Sequence, residues 1–431
     1  MCFRHRLRTL VASCAALTAL VAAASPQTAL AAPGIQYGLH DDAWLRDGPG
    51  ALEDRLSKLD ELGVEVVRYN LRWDRIATQR PAAPTSDDDP AYTWTDDDPV
   101  VNGLRAHGIA VVLGLVGTPA WANGGRATNV APTNARTFGD FAAAAATHYP
   151  WVKRWLVWNE PNQRRWLIPT TAAVYVTRLL NPAYAALHSR IAGVRVGGGV
   201  TAPRGATGGV SPIAWLRGMR AAHARLDAYA HNPYPLNPKR ESPRAGGCGH
   251  CDTISMATLG RLVAEVSRSF GGARIWLTEY GYQTNPPDRL LGVPPALQAR
   301  YIGDAGYQAY KTPRVDMLIQ FLYRDEPDLA RFQSGLVRLS GAPKPALTAF
   351  QLPLAEVSRR GTRTTLWGQI RAPGAVGTYR IQRSTGGPWR DVGPARPAGR
   401  GAFFLFTADL PRGARVRLVA GSLTSPPLVV I

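Results

Sequence analysis

Eight times between residues 35 and 351, a short apolar segment rich in β-branched residues precedes a longer amphipathic segment. This alternation predicts parallel strands joined by helices, because each helix returns the chain to the same end of the sheet before the next strand. Eight such units close into a (β/α)8 TIM barrel. The alternative is an open doubly wound sheet, which usually carries a glycine-rich phosphate turn after its first strand, and this sequence has none there.

The elements of this barrel are predicted from apolar periodicity and from helix starts. Asp98 before Pro99 and Ser211 before Pro212 are typical of a helix cap followed by proline at the first helical position. The predicted strands span residues 35–39, 64–71, 109–115, 152–158, 195–200, 226–231, 274–279 and 315–323. The predicted helices span residues 51–62, 99–107, 134–148, 171–191, 212–224, 254–270, 295–310 and 345–351.

The pattern predicts three segments: a signal peptide over 1–32, the barrel over 33–352 and a small all-β sandwich, Ig-like, over 353–431. After about residue 351 the helical periodicity ends, and turn residues separate short apolar runs. The predicted sandwich strands span residues 364–370, 377–382, 402–407, 415–420 and 427–431. No Pro/Ser/Thr-rich linker precedes them, so we expect the sandwich to pack against the barrel.

The amino terminus has the order of a secretory signal. Three arginines at positions 4, 6 and 8 precede an apolar run over residues 10–24, and Ala29-Leu30-Ala31 fits a cleavage site. No later segment reaches the roughly 18 apolar residues that a transmembrane helix needs. We therefore expect an extracellular protein, without a transmembrane segment, that acts as a monomer.

The formal net charge of +19 comes mainly from arginine and is concentrated at the carboxyl end. From residue 354 onward there are twelve arginines against three acidic residues. No nucleic-acid-binding motif accompanies the charge, so nucleic acid is not an expected partner. The basic sandwich is expected either to bind an anionic cell wall or acidic polysaccharide, or to present a solvated basic face.

Cys248 and Cys251 are the two cysteines that follow the signal segment, and they are expected to form a structural disulfide outside the cell. A redox pair would need a thioredoxin-like context, and zinc would need more ligands than the neighbouring His250. Two runs of three aspartates, 87–89 and 96–98, do not match a calcium-binding motif and predict a solvated loop and a helix cap, with calcium as the alternative. We expect no metal and no cofactor.

Two glutamates lie where a barrel carries its chemistry, at the carboxyl ends of strands. Glu160 follows the predicted fourth strand, and Glu279 ends the predicted seventh. A carboxylate beside tryptophan at the end of an apolar strand is unusual for a surface charge. A pair of carboxyl groups, one protonated and one ionised, is what retaining glycoside hydrolysis needs across the scissile bond.

These segments resemble the clan A glycoside hydrolases. The resemblance rests on Trp158-Asn159-Glu160-Pro161-Asn162 at strand four, Thr278-Glu279-Tyr280-Gly281 at strand seven and His231-Asn232-Pro233-Tyr234 after strand six, and it covers roughly residues 35–352. Family 5, which is cellulase-like, and family 39, which is xylosidase- and iduronidase-like, are the groups it is most similar to. The resemblance implies a (β/α)8 barrel, a retaining mechanism and a poly- or oligosaccharide substrate.

The resemblance also implies a role for individual residues. Glu160 would be the acid/base and Glu279 the nucleophile, and Asn159 would bind the sugar 2-hydroxyl. Arg68 would keep the nucleophile ionised, or else form only an ion pair at the barrel rim. Tyr234 would contact the nucleophile or the sugar; His231 either does the same or is a buried histidine with protein partners.

Aromatic residues on the predicted catalytic face suit a sugar cleft, because their rings pack against the C–H faces of sugars. Trp121 is one of them. Many clan members have a tryptophan at the end of strand eight, where this chain has Tyr323, and Tyr323 is the expected substitute as the floor of the sugar site. The competing interpretations are a catalytically inactive carbohydrate- or wall-binding barrel, and a secreted interaction protein in which the barrel is a scaffold.

Overall fold

A computed structural model describes residues 34–249, 251–375 and 377–431. The predicted signal peptide lies outside these residues, as does His250. Within the described ranges, no helix combines the length and the apolar character needed to cross a membrane.

The predicted barrel is confirmed: eight parallel strands close into a ring in chain order, with β1 paired to both β2 and β8. The strands are β1 Gln36–His40, β2 Val66–Arg72, β3 Ala110–Val116, β4 Arg154–Val157, β5 Arg195–Thr201, β6 Ala228–His231, β7 Arg274–Tyr280 and β8 Val315–Phe321. Apolar side chains, among them Leu156, Trp276 and Met317, form a cluster contributed by several strands. Because all eight strands are parallel, their carboxyl ends meet at one face of the barrel.

Helices alternate with these strands. They are α1 Asp42–Asp47, α2 Leu52–Leu62, α3 Trp73–Ile76, α4 Asp98–Ala106, α5 Ala120–Asn123, α6 Ala135–His148, α7 Ala172–Tyr175, α8 Asn181–Arg190, α9 Pro212–Ala221, α10 Leu259–Phe270, α11 Pro295–Tyr310 and α12 Pro345–Gln351. The single helix predicted over 171–191 is divided by a π-helical turn, Val176–Leu180. Ser211 caps α9 through its side chain, as its position before Pro212 predicted.

The carboxyl-terminal residues form two antiparallel sheets, which agrees with the predicted small all-β domain. The strands are β9 Leu354–Arg360, β10 Arg363–Gln369, β11 Thr378–Ser384, β12 Arg390–Asp391, β13 Arg396–Pro397, β14 Phe403–Asp409, β15 Arg415–Ala420, β16 Leu423–Thr424 and β17 Leu428–Val429. One sheet has the order β14-β10-β9, and the other is built around β11 and β15. Leu366, Phe406 and Leu418 lie in the apolar core shared by the two sheets.

The sheet β14-β10-β9 contacts the barrel along α11. Trp367 and Phe403 belong to the same apolar cluster as Tyr310 of α11, and the rings of Phe403 and Tyr310 are 4.7 Å apart. At Gly303 the two parts approach so closely that an added Cβ would lie 2.2 Å from the carbonyl oxygen of Leu354. Only glycine fits that position in α11, since any larger residue would push the backbone of β9 away.

Candidate active site

The two glutamates lie at the same face of the barrel, at the ends of β4 and β7. Glu279 is the penultimate residue of β7 and is 6% exposed. Glu160 follows β4, where the backbone leaves the strand with φ values of 70° at Trp158 and 40° at Glu160. Positive φ is unfavourable for residues with a Cβ, and such strain is typical of sites where a side chain must be held in one direction.

Glu279 accepts hydrogen bonds at both carboxylate oxygens. Arg68, fully buried in β2, donates from Nη1 to Oε1 at 2.8 Å, and the Tyr234 hydroxyl donates to Oε2 at 3.1 Å. Burial by itself raises the pKa of Glu279, but the Arg68 charge, His40 and the Tyr234 hydrogen bond outweigh it and hold the pKa below its ordinary value. Glu279 is therefore ionised near neutral pH.

Glu160 has the opposite environment. Burial and then the negative charge of Glu279 raise the pKa of Glu160 to about 7, against the opposing hydrogen bond from Asn232. Asn232 donates from Nδ2 to Glu160 Oε1 at 3.1 Å, and its Oδ1 accepts from the Thr278 hydroxyl at 2.8 Å. Because Asn232 bridges Glu160 to the residue beside Glu279, the two carboxyl groups belong to one hydrogen-bonded network.

Arg68 joins the nucleophile candidate to the predicted sugar contact. Its Nη2 donates to Asn159 Oδ1 at 2.8 Å while Nη1 binds Glu279. This bond fixes the side-chain amide of Asn159 so that its oxygen is occupied and its NH2 group is turned away from Arg68. Asn159 can thus offer a donor to a hydroxyl group, which is the chemistry that the resemblance implies for it.

His231 ends β6 and is fully buried. Its Nδ1 is 2.8 Å from the Thr201 hydroxyl and its Nε2 is 3.2 Å from the carbonyl oxygen of Ile254. Burial lowers the pKa of His231 to about 4, although both hydrogen bonds oppose the shift. Both ring nitrogens have protein partners and neither binds a glutamate, so the structure favours the buried-histidine alternative over a sugar contact.

Tyr323 does not take the position expected of a sugar-site floor. Leu322 has φ 80°, which turns the chain after β8, and the centre of the Tyr323 ring lies 4.0 Å from that of Trp44, with the two rings tilted by 33°. Phe321, two residues earlier, is the aromatic residue beside the network: its ring is 6.2 Å from Tyr234 and 5.3 Å from His40. The strand ends sooner than the sequence predicts, so the aromatic residue at its end is a different one.

Trp121 lies in α5, after β3, and is partly exposed. Its indole nitrogen donates to the carbonyl oxygen of Ala77 at 2.8 Å, and its ring makes an edge contact with Trp73 at 5.5 Å. One edge of the ring is thus committed to packing, and the structure does not join Trp121 to the hydrogen-bonded network of the glutamates.

Cys248 and Cys251 form the predicted disulfide. It lies in the long loop between β6 and α10, and Arg261 of α10 donates to the carbonyl oxygens of Cys248, Cys251 and Thr253. The loop leaves β6 through Asn232 and Tyr234, both of which bind the glutamates. The disulfide therefore restrains the same loop that carries two residues of the site.

The aspartate-rich segments are occupied by protein donors. Asp89 accepts from the backbone of Ala83 and Ala91, while Asp87 and Asp98 lie on either side of His148. Across the part of the chain that the structure describes, no group of three or more His, Cys, Asp or Glu side chains is arranged to hold a metal ion.

The residues that line the network but are absent from the site predicted above include His40, Asn232 and Phe321. Asn232 lies inside the segment that carries the resemblance, between His231 and Tyr234. His40 ends β1 and directly follows its predicted segment, so the strand-end rule points to it. Phe321 lies inside the segment predicted to continue to residue 323, so the same rule points to Tyr323 instead.

Comparisons with known proteins add information on the fold. No protein-family model and no curated protein matches the sequence. CelM2, a bifunctional glucanase-xylanase from a metagenome library, matches with a TM-score of 0.51 and 12% identity over 92% of this chain and 97% of its own. The exo-β-1,4-mannosidase Op5Man5 from Opitutaceae bacterium strain TAV5 matches with a TM-score of 0.51 and 16% identity over 73% of this chain and 58% of its own.

The chain spans 45% of the length of the calcium-binding mutant of Bacteroides uniformis β-glucuronidase 2, at 10% identity over 92% of this chain and a TM-score of 0.49. At such identities the likeness shows the fold alone. The fold shared with CelM2 and Op5Man5 includes the eight-stranded barrel.

Proposed function

We propose that this protein is a secreted retaining glycoside hydrolase that cleaves O-glycosidic bonds of a poly- or oligosaccharide. One arrangement carries the proposal: at the ends of β4 and β7, Glu279 accepts from Arg68 and Tyr234 while Glu160 accepts from the neutral amide of Asn232. These different surroundings raise the pKa of Glu160 to about 7 and lower that of Glu279. A pair of carboxyl groups whose environments separate their pKa values is typical of an acid and a nucleophile at one site.

Each residue then has a defined task. Glu160, protonated, donates its proton to the glycosidic oxygen while ionised Glu279 attacks the anomeric carbon. In the second step Glu160 takes a proton from water, and that water releases the sugar from Glu279 with overall retention of configuration. Arg68 and Tyr234 hold Glu279 ionised and oriented, and Asn159 donates to the hydroxyl next to the anomeric carbon.

The shared fold of a glucanase-xylanase and a mannosidase supports a carbohydrate substrate. Export is proposed from the amino-terminal sequence alone. The alternative, a barrel that binds sugars without cleaving them, would not require one carboxyl group to be protonated and its neighbour ionised. Hydrolysis of a panel of aryl glycosides and polysaccharides tests the proposal, and NMR of the first-formed anomer tests retention.

On a substrate from that panel, kcat/KM is expected to have a bell-shaped pH dependence. Glu160 must be protonated, so activity falls as the pH rises through about 7. Glu279 must be ionised, and its lowered pKa places the acid limb at low pH. Glu160→Gln should remove the alkaline limb on aryl glycosides with good leaving groups, which need no protonation. A profile that keeps this limb in the variant would contradict the assignment of the acid.

A second proposed property belongs to the sandwich. Arg380, Arg415 and Arg417 lie together with Gln382, Trp389 and Asp391 on one side of the sheet built from β11 and β15; we call these six residues the basic face. The guanidinium groups of Arg417 and Arg415 lie 4.3 Å and 5.6 Å from the Trp389 ring centre. We propose that this face binds acidic polysaccharide, because guanidinium groups pair with carboxylates and, like the indole, pack against sugar rings.

A matched pair of variants tests this binding in the full chain. Changing Arg380, Arg415 and Arg417 to Gln should weaken co-sedimentation with an insoluble polyuronate by about tenfold or more at low salt. The control changes Arg360, Arg363 and Arg412 to Gln, which removes the same charge from exposed positions of the same domain. Equal weakening in both triples would show that total charge, and not the basic face, drives binding. DNA that competes as well as polyuronate would reject the choice of polymer.

A further inference from the structure

His40 is a titratable residue beside the nucleophile candidate, and the reaction proposed above assigns it no task. It is the last residue of β1 and is 5% exposed. Its ring Nδ1 lies 3.4 Å from Glu279 Oε1 and makes no well-aligned hydrogen bond among the described residues. A buried polar nitrogen without a partner is costly, so its direction toward the carboxylate requires an explanation.

The other side of the imidazole ring shows which nitrogen carries hydrogen. Two hydrogen bonds fix the orientation of the Asn70 side-chain amide. Its Oδ1 accepts from Arg68 Nη2 at 3.3 Å, and its Nδ2 donates to Asp42 Oδ2 at 2.8 Å. The same Nδ2 is 3.0 Å from His40 Nε2. In a neutral ring, Nε2 therefore accepts from Asn70 and Nδ1 bears the hydrogen.

An imidazolium ring would give the same result at Glu279. Asp42 Oδ1 is 3.3 Å from Nε2 and can accept its proton, and Nδ1 again bears a hydrogen. A neutral ring with hydrogen on Nε2 would instead direct the Nδ1 lone pair at an ionised carboxylate, which is repulsive. Both favourable states thus present an Nδ1–H donor to Glu279.

We propose that His40 is a positioning residue that donates from Nδ1 to Glu279 Oε1 and, together with Arg68, holds the nucleophile ionised and oriented. The inference rests on the proposed function, since it assigns a task toward the nucleophile of that reaction. Hydrogen bonds at active sites are often long in the free protein and tighten in the substrate complex, which accounts for the present 3.4 Å separation.

The charges around this pair come from four elements. Arg68 of β2 and Tyr234 of the β6–α10 loop face Glu279, and Glu160 after β4 is the nearby negative charge. Asp42 of α1 and Arg68 face His40, and Asp41 precedes Asp42 in the chain. Burial and the Arg68 charge lower the pKa of His40, but Asp42 and Glu279 together raise it above its ordinary value. In either charge state of the ring, the hydrogen on Nδ1 faces Glu279.

Three substitutions at position 40 test the inference, because they differ in where they place a donor. Asparagine can offer an amide N–H near the position of Nδ1, glutamine near that of Nε2, and phenylalanine offers none while keeping an aromatic ring against Phe321. We expect kcat/KM to fall about 10- to 100-fold in His40→Phe and His40→Gln, as for loss of a hydrogen bond to a charged group. His40→Asn should recover most of the loss.

The acid limb of the pH profile gives a readout that a merely structural role would not move. Without the donor, the ionised form of Glu279 loses a stabilising contact, so the pKa of Glu279 rises. The acid limb should therefore move to higher pH in His40→Phe and His40→Gln, but not in His40→Asn. Variants of equal activity, or an unmoved limb in His40→Phe, would overturn the inference. Unchanged thermal unfolding midpoints serve as the folding control.

A direct titration separates this inference from the proposed function. In protein labelled with ¹³C at glutamate carboxyl groups, the Glu279 signal is identified by its loss in Glu279→Gln. We expect it to titrate at higher pH in His40→Phe than in the unsubstituted protein, whether or not a substrate has been found. An unchanged titration rejects the role of His40 and leaves the hydrolase proposal standing. A shifted titration in a protein that cleaves no glycoside supports the contact and rejects the hydrolase.

Discussion

Glu279→Gln is expected to lower kcat/KM by at least about 10³-fold, equivalent to roughly 4 kcal/mol of transition-state stabilisation, without unfolding the protein. The amide cannot attack the anomeric carbon as a carboxylate does, yet it has the same shape and retains a carbonyl oxygen that accepts from Arg68. Steady-state kinetics on an aryl glycoside, with circular dichroism as the folding check, measure both expectations.

The two glutamates should differ in chemical rescue. Azide added to Glu279→Ala should restore part of the turnover and yield a glycosyl azide of inverted configuration, because azide replaces the missing nucleophile. With Glu160→Ala the azide product should keep the configuration of the substrate, since Glu279 still forms the intermediate. The control is Glu265→Gln: Glu265 is a buried glutamate of α10 paired with Arg217, and its loss should leave kcat/KM unchanged. Near-normal activity in Glu279→Gln would refute the mechanism.

Most of the barrel follows from local pattern. The bounds of β7 and α11 differ from the predicted segments by one residue or none, because a buried strand and an amphipathic helix each have a clear period. The π-helical turn in the segment predicted as one helix was not predictable, since apolar spacing reports which face is buried and not which carbonyl each amide contacts. Strand β9 was missed because only its first half is buried, so its alternation is weak.

Candidate site residues were predictable where a charged side chain lies at the end of a predicted strand. They were less predictable where a contact between distant strands brings a residue to the site. Arg68 donates to Glu279, and the Glu279 charge acts on Glu160; the roles that the resemblance implies for these residues stay predictions. The nearness of His40 to Glu279 joins β1 to β7 across the closed barrel, and no spacing along the chain reveals such a contact. For Tyr323 the difficulty is local. The backbone at Leu322, with φ 80°, turns the chain and so decides which aromatic residue faces the site, and the sequence pattern does not reveal this turn.

Removing residues 353–431 is expected to lower the thermal unfolding midpoint and the solubility of the remaining barrel. The sandwich contributes Trp367, which is fully buried, and Phe403 to an apolar cluster shared with Tyr310 of α11. Arg371 also lies 3.7 Å from the ring centre of Tyr37 in β1. Truncation would expose this apolar surface to water, which favours aggregation. A soluble barrel with an unshifted midpoint and full activity would contradict the packed arrangement.

A single substitution measures the same interface in the intact chain. Trp367→Ala should lower the free energy of unfolding by about 3–5 kcal/mol, because it removes a large buried ring and leaves a cavity against α11. The Trp367 ring lies 5.6 Å from Tyr310 of α11 and 5.9 Å from Phe403 of β14, so the substitution removes contacts on both sides of the interface. Trp389→Ala is the matched control, since Trp389 is a partly exposed tryptophan of the same domain on the basic face. Denaturant unfolding that gives equal, small losses for the two variants would show that the barrel does not depend on the sandwich for stability.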